Sequence, residues 1–313
     1  MHQPKLAKLL LFSLLLLLTH IASANAIDDL KNDGDVKRFM VVWLEKTYKI
    51  KEKDIAILPA DSLFVNSGCY EEARKMDCKT WEKADFNNDG KTDLLVNVAG
   101  NGFNRNLMAV IDNGNNSFKL LNIVRKNYGL LPDLPLAKPI LINGVQVLLY
   151  HTCPGRHFSA NKKSSPEKTD TLIFKFGNFV EYNPKPATVA ITNIHVETTM
   201  CFGKCPVFKL DIAADGAATY SAEKFNPETG VFKGTIEKEK LTQINSLINY
   251  IDIKNLNTNY DVNWTDDQTI KLSVQFADGS SKQITDYGMQ GTYGLRYLYQ
   301  IFFGLRAGQT WYE

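Results

Sequence analysis

Apolar and polar residues alternate along this chain in two rhythms, and those rhythms predict most of its elements. Val36, Phe39, Met40, Trp43, Leu44 and Tyr48 fall at i, i+3, i+4, i+7, i+8 and i+12. That is one apolar stripe of an α-helix, with Asp35 as its expected N-cap. After a charged link at 51–53, the stretch 55–65 fits either strand or loop. Period-2 runs then flank Asn113-Gly114 (107–111 and 118–124), Asn143-Gly144 (139–142 and 145–150) and Gly177-Asn178 (171–176 and 179–182). Such dipeptides accept the positive φ of a tight turn, so three hairpins of one antiparallel β-meander are expected. The polar stretch 158–168 predicts a loop.

The second half repeats this grammar with two helices added. Segment 189–197 reads as a strand, and Phe208, Leu210, Ile212 and Ala214 alternate with Val207, Lys209, Asp211 and Ala213 up to the turn Asp215-Gly216. Segment 230–235 is another strand. Leu241, Ile244, Leu247, Ile248 and Ile251 share a helical face, with Glu237 and Glu239 in the first turn where acidic charge suits the dipole. Leu272, Val274 and Phe276 alternate up to Asp278-Gly279, 282–287 returns, and Leu295, Leu298, Tyr299 and Phe302 make a last helix. The order ββββαββα predicts an α+β layer with two helices on one face of an antiparallel sheet. Pro184-Lys185-Pro186 reads as a stiff linker between a helix-plus-meander domain, 27–183, and this domain, 187–313.

The first 26 residues read as a signal peptide. Lys5 and Lys8 precede the apolar run 9–18, and cleavage is expected after Ala24 or Ala26. The run is short for a membrane span, no cysteine follows it to carry a lipid anchor, and no second apolar stretch nears about twenty residues. Export to the periplasm or the extracellular space is expected, with no membrane span after cleavage. Two of the 36 basic residues lie in the leader, so the remainder balances the 34 acidic ones. That balance gives no electrostatic footprint for nucleic acid or an anionic membrane. The remaining length of about 290 residues suits two cores.

Five cysteines in an oxidising compartment should mostly pair. Cys69 with Cys78 and Cys201 with Cys205 are the expected local disulfides, leaving Cys153 free or bonded to another chain. Cys201 and Cys205 could instead be a redox pair or half a metal site, readings that need a helix N-terminus or further ligands. His151, Cys153 and His157 cluster where a strand should end. They could hold zinc or copper, or supply a thiol with an imidazole base, while a strand-end cysteine with two loop histidines would do neither. Asp261, Asp266 and Asp267 read as solvated loop acids, and Tyr260 with Trp264 as a possible exposed binding patch.

The densest chemistry is the loop holding Asp85, Asn87, Asp89, Gly90, Lys91 and Asp93, followed by the apolar Leu94-Leu95-Val96. Oxygen side chains at positions 1, 3, 5 and 9, a glycine at 6 and the carbonyl of Lys91 at 7 match a hard-cation loop. Position 12 is Val96, so it is no EF-hand. The pattern resembles the calcium loop of FG-GAP repeats, which implies Asp85, Asn87, Asp89 and Asp93 as ligands. One copy in a span this short excludes a seven-bladed propeller. A solvated Asn/Asp-Gly turn without metal is the alternative.

The run Cys201-Phe202-Gly203-Lys204-Cys205-Pro206-Val207-Phe208, followed by Asp215-Gly216, resembles the signature of a bacterial family of domains of unknown function. The resemblance implies an extracytoplasmic α+β module from 187 onward and brings no catalytic residue. Together these readings lead us to expect an exported, non-catalytic binding or interaction protein of the bacterial envelope, stiffened by Ca2+. It would have no organic cofactor and would meet an envelope protein or a glycan. The alternatives are a Cys/His- or zinc-dependent hydrolase using Cys153, His151 and His157, and an envelope component that self-associates through Cys153.

Overall fold

A computed structural model describes residues 25–60, 62, 69–100, 103–124, 135–152 and 168–313. The first helix, α1 (Asp33–Tyr48), begins earlier than its apolar stripe suggests. Asn32 is the N-cap, its Oδ1 accepting from the Asp35 N–H at 3.1 Å, while Asp35 Oδ2 accepts from the Lys31 N–H at 2.9 Å. Asp35 thus closes a reciprocal cap from inside the first turn and is not the N-cap itself. Val36, Met40 and Leu44 are the buried face, as the spacing predicts. A short helix α2 (Tyr70–Lys75) follows.

The meander is two sheets, not one. β1 (Trp81–Ala84), β2 (Asp93–Gly100), β3 (Phe103–Asp112) and β4 (Phe118–Asn122) pair in sequence order. β5 (Leu136–Ile142), β6 (Val145–Thr152), β7 (Lys168–Lys175) and β8 (Asn178–Glu181) form a separate four-stranded sheet. The reason lies in β2, where the run Leu94 to Ala99 is buried on both faces. Leu94, Val96 and Val98 join the α1 stripe in one core, and Leu95 joins Leu107, Ala109 and Ile111 against Ala137, Leu148 and Leu172 of the second sheet. Helix, sheet and sheet therefore stack as three layers. Local alternation cannot distinguish this from one wide sheet.

After β8 come β9 (Ile191–Thr198), β10 (Phe208–Ala213), β11 (Ala217–Ala222) and β12 (Gly230–Thr235), then α3 (Lys238–Tyr250). A two-residue strand β13 (Asn259–Tyr260), absent from the expected ββββαββα order, precedes β14 (Thr269–Phe276), β15 (Ser281–Tyr287) and α4 (Tyr293–Gly308). They form a seven-stranded sheet ordered β12-β11-β10-β9-β14-β15-β13, antiparallel except for the parallel β13–β15 pair. Both helices share one core with the inward rows of this sheet, including Ile194, Val196, Leu210, Ile212, Leu272 and Val274. The other face carries polar residues such as His195, Asp211 and Ser273, as an antiparallel sheet wet on one side should. At the β12 edge the main chain of Lys233 exchanges two hydrogen bonds with Tyr312, at 2.7 and 2.9 Å.

Direct contacts join the second four-stranded sheet to the C-terminal layer. The β7–β8 turn places Phe176 and Gly177 at φ 60° and 94°, and the Phe176 carbonyl accepts from Tyr297 Oη at 2.5 Å and Gln243 Nε2 at 2.8 Å. Asn183 donates its main-chain N–H to Tyr250 Oη and its Nδ2 to the Tyr250 carbonyl. Val180 belongs to the C-terminal core. Glu181, ending β8, accepts from the first N–H groups of α4, Oε1 from Tyr293 at 2.5 Å and Oε2 from Gly294 at 2.9 Å. A carboxylate from that sheet thereby satisfies a helix N-terminus of the C-terminal layer.

Candidate functional site

The loop between β1 and β2 is closed at its base by the Ala84–Asp93 strand pair. Within it Asp85 accepts from the N–H groups of Asp89 (3.1 Å) and Gly90 (2.8 Å), Asn87 Oδ1 from Asp89 (3.1 Å), and Asp89 Oδ1 from Lys91 (2.9 Å). These successive side-chain turns curl the backbone, with Asn88 at φ 57° and Gly90 at φ 82° completing the bend. Lys91 contributes its ammonium, 2.7 Å from Asp89 Oδ2. Burial pushes upward on the Asp89 carboxyl, but Lys91 and the loop's hydrogen bonds outweigh it and hold it below the ordinary range.

Asp93 is fully buried and accepts from the N–H groups of Phe86 and Asp112, both at 2.8 Å. Burial lifts its carboxyl to about 6, against those two hydrogen bonds, and the charges of Asp85 and Asp89 add to the rise. Its two oxygens tie the loop to the end of β3. Among the described residues no three His, Cys, Asp or Glu side chains gather to hold a metal ion. A cation in this loop would therefore need the Asn87 amide oxygen and main-chain carbonyls alongside Asp85 and Asp89. Each carboxylate has lone pairs left for one, because two accepted hydrogen bonds fill about half its capacity.

The second feature is the ring closed by the Cys201–Cys205 disulfide, whose Cα atoms lie 5.7 Å apart. Thr198 Oγ1 donates to the Pro206 carbonyl at 2.9 Å, and buried Gln268 donates Nε2 to the carbonyls of Thr199 (2.8 Å) and Pro206 (2.7 Å). The Phe202 N–H reaches the Asp266 carbonyl at 3.0 Å. The ring is thus held at both ends, yet the Phe202 side chain is 88 % exposed. Tyr260 and Trp264, which the sequence offers for such a patch, are both half-buried. Trp264 is half-buried and donates to Asp267 at 3.0 Å. Phe202 was obscured because the same alternation that buries Phe208 says nothing about a residue inside a five-residue ring.

The expected Cys69–Cys78 disulfide does not form. Cys69 is disulfide-bonded elsewhere, with its partner outside the described residues, and Cys78 is a buried free thiol. Both sit in one small core with Ala73 and Leu136. Burial, with Glu82 adding, pushes the Cys78 thiol up to about 12, which leaves it unreactive. Of the His151, Cys153 and His157 cluster only His151 is described. It is buried in β6 with Nδ1 2.8 Å from Thr169 Oγ1; Cys153 and His157 lie outside the described residues.

A pair that sequence reading missed is His195 Nδ1 with Asp211 Oδ1, 2.7 Å apart on the open sheet face. The cross-strand register β9–β10 brings them together, and Ser273 flanks His195 on the other side. Both partners are more than a third exposed, so solvent screens the pair. It lies on an open face, without the enclosure that gives a catalytic carboxylate its leverage.

Fold and sites together define a β-rich α+β chain whose ordered features are a curled acidic loop and a pinned cystine ring. Residues 192–306 match the family described as Domain of unknown function (DUF6438), a span that takes in most of the seven-stranded sheet and both of its helices. Curated proteins gave no match, and neither did solved structures. No helix among the described residues is long and apolar enough to cross a membrane.

Proposed function

We propose that this is an exported, non-catalytic binding protein whose acidic loop takes up calcium and whose C-terminal module makes the contacts. The observation that carries the calcium reading is the curl itself. Asp85, Asn87 and Asp89 occupy alternate positions of a backbone already bent by their own hydrogen bonds, so binding would require little further ordering. Lys91 occupies Asp89 as an exchangeable partner that a divalent ion would displace.

The contact reading is supported by the cystine ring, where rigid structure is spent on displaying an aromatic side chain to solvent. Export is supported by the leader-like pattern at the start of the chain. Calorimetric titration of calcium into chelator-treated protein, paired with thermal melts, tests the metal. Saturating ion at about a hundred times its dissociation constant should stabilise the fold by about 2.7 kcal/mol, an effect that Asp89→Ala abolishes. Identical melts with and without chelator would remove calcium from the proposal.

A further inference from the structure

The cystine ring is one of three loops that meet at the same end of the seven-stranded sheet. Val207 N–H donates to the Lys224 carbonyl at 2.8 Å, Lys224 Nζ lies 3.5 Å from Met200 Sδ, and Phe202 N–H reaches Asp266. These contacts join loops 199–207, 223–229 and 261–268. Three apolar side chains stand out from them: Phe202, Met200 at 55 % exposure and Phe225 at 49 %. Because Phe202 sits on a ring whose backbone is already fixed, this apolar crest has a preorganised anchor, with little conformational entropy left to be lost on docking.

Charge decides what fits on this crest. The three loops carry five carboxylates, Glu223, Glu228, Asp261, Asp266 and Asp267, against two ammonium groups, Lys204 and Lys224. Four of the five are exposed, and Asp267 is half-buried. Glu223 lies 3.9 Å from Lys209, a separation that leaves it weakly engaged in solvent. An anionic bilayer would be repelled by such a rim, whereas membrane-seeking loops surround their apolar groups with lysine and arginine. A partner that buries the crest and answers the rim must be apolar and basic at once.

We infer that this end of the C-terminal module docks a cationic, amphipathic protein segment, with Phe202 as its anchor. The inference rests on reading the chain as a binding protein and is independent of calcium. The test uses the full chain and a fluorescent helical peptide of leucine and lysine, with a leucine–glutamate peptide of the same apolar pattern and phosphatidylcholine–phosphatidylglycerol vesicles in parallel. Saturable binding of the lysine peptide is expected, weakened about tenfold in Phe202→Ser, which is 1.4 kcal/mol, and weakened by Asp261→Asn with Asp266→Asn. Phe202 and both aspartates are exposed or surface groups, so circular dichroism should show each variant folded.

Equal affinity for both peptides, preference for the vesicles, or a Phe202→Ser protein that binds as well as the parent overturns the inference. Absence of saturable binding to any probe overturns it too. In each case a positive calcium titration leaves the first proposal's metal site standing, so the two failures are distinguishable.

Discussion

Glu181 offers the most direct test of how the second sheet and the C-terminal layer are held together. Helix α4 has no acidic residue in its first turn, and its own N-cap, Thr292, satisfies only the Leu295 N–H, at 3.2 Å. Glu181 supplies the missing charge and both remaining hydrogen bonds, from a position 112 residues upstream of Tyr293. Hydrogen bonds to a charged partner contribute about 1.5–3 kcal/mol each, and a carboxylate at a helix N-terminus adds about 0.3–1 kcal/mol. The pair shares one side chain and half-exposed surroundings, so the terms do not add in full.

Glu181→Gln keeps one acceptor oxygen but turns an amide donor toward a main-chain N–H, and should lower the unfolding free energy by about 2 kcal/mol. Glu181→Ala leaves both N–H groups without a protein partner and should lower it by about 3 kcal/mol. Urea denaturation followed by tryptophan fluorescence measures both. Glu45→Gln is the control: Glu45 is exposed on α1, away from any helix N-terminus, and surface changes of that sort stay within about 0.5 kcal/mol. If the Glu181 variants lose no more than this control, the carboxylate does not clamp α4, and the argument from its geometry fails.

Two further outcomes follow from buried titrating groups. The folded Asp93 carboxyl titrates near 6 while its ordinary value is 3.8, so between those values the folded chain holds a proton that the unfolded chain has released. Stability contributed at this site should therefore fall as pH rises from about 4 through 6, by on the order of 3 kcal/mol. The difference between the parent and Asp93→Asn in urea melts across that window should show this slope, and a flat difference would refute it. Cys78, buried and held near 12, should resist iodoacetamide at pH 8 in the native protein and react at once in urea; modification of Cys78 in the native state at the rate of a free thiol would show that the site is open.

Much of the architecture was legible because its signals are local. Asn143-Gly144 turns a hairpin because both residues adopt positive φ, 50° and 79°, which a two-residue turn demands and which that dipeptide accepts readily. The α1 stripe and the Cys201–Cys205 ring are legible for the same reason, since spacing of a few residues fixes the geometry. What stayed hidden depends on residues far apart. The division of the meander into two stacked sheets is set by β2 packing on both faces. Cys69 pairs with a cysteine other than Cys78, a choice that spacing cannot rank. The curl of the acidic loop was readable, but the pairing of the Lys91 ammonium with Asp89 depends on side-chain positions that spacing does not give.

The contact between Lys233 and Tyr312 bears on how the outer strand of the module is closed off. An outermost strand with vacant main-chain donors and acceptors invites a neighbouring molecule to add itself to the sheet. Here the tail occupies that rail at its midpoint with a reciprocal pair of bonds, and exposed Val231 is left just short of it. A recruit running the length of β12 would first have to peel the tail away, so growth of the sheet by stacking copies edge to edge is obstructed at the place where it would otherwise begin.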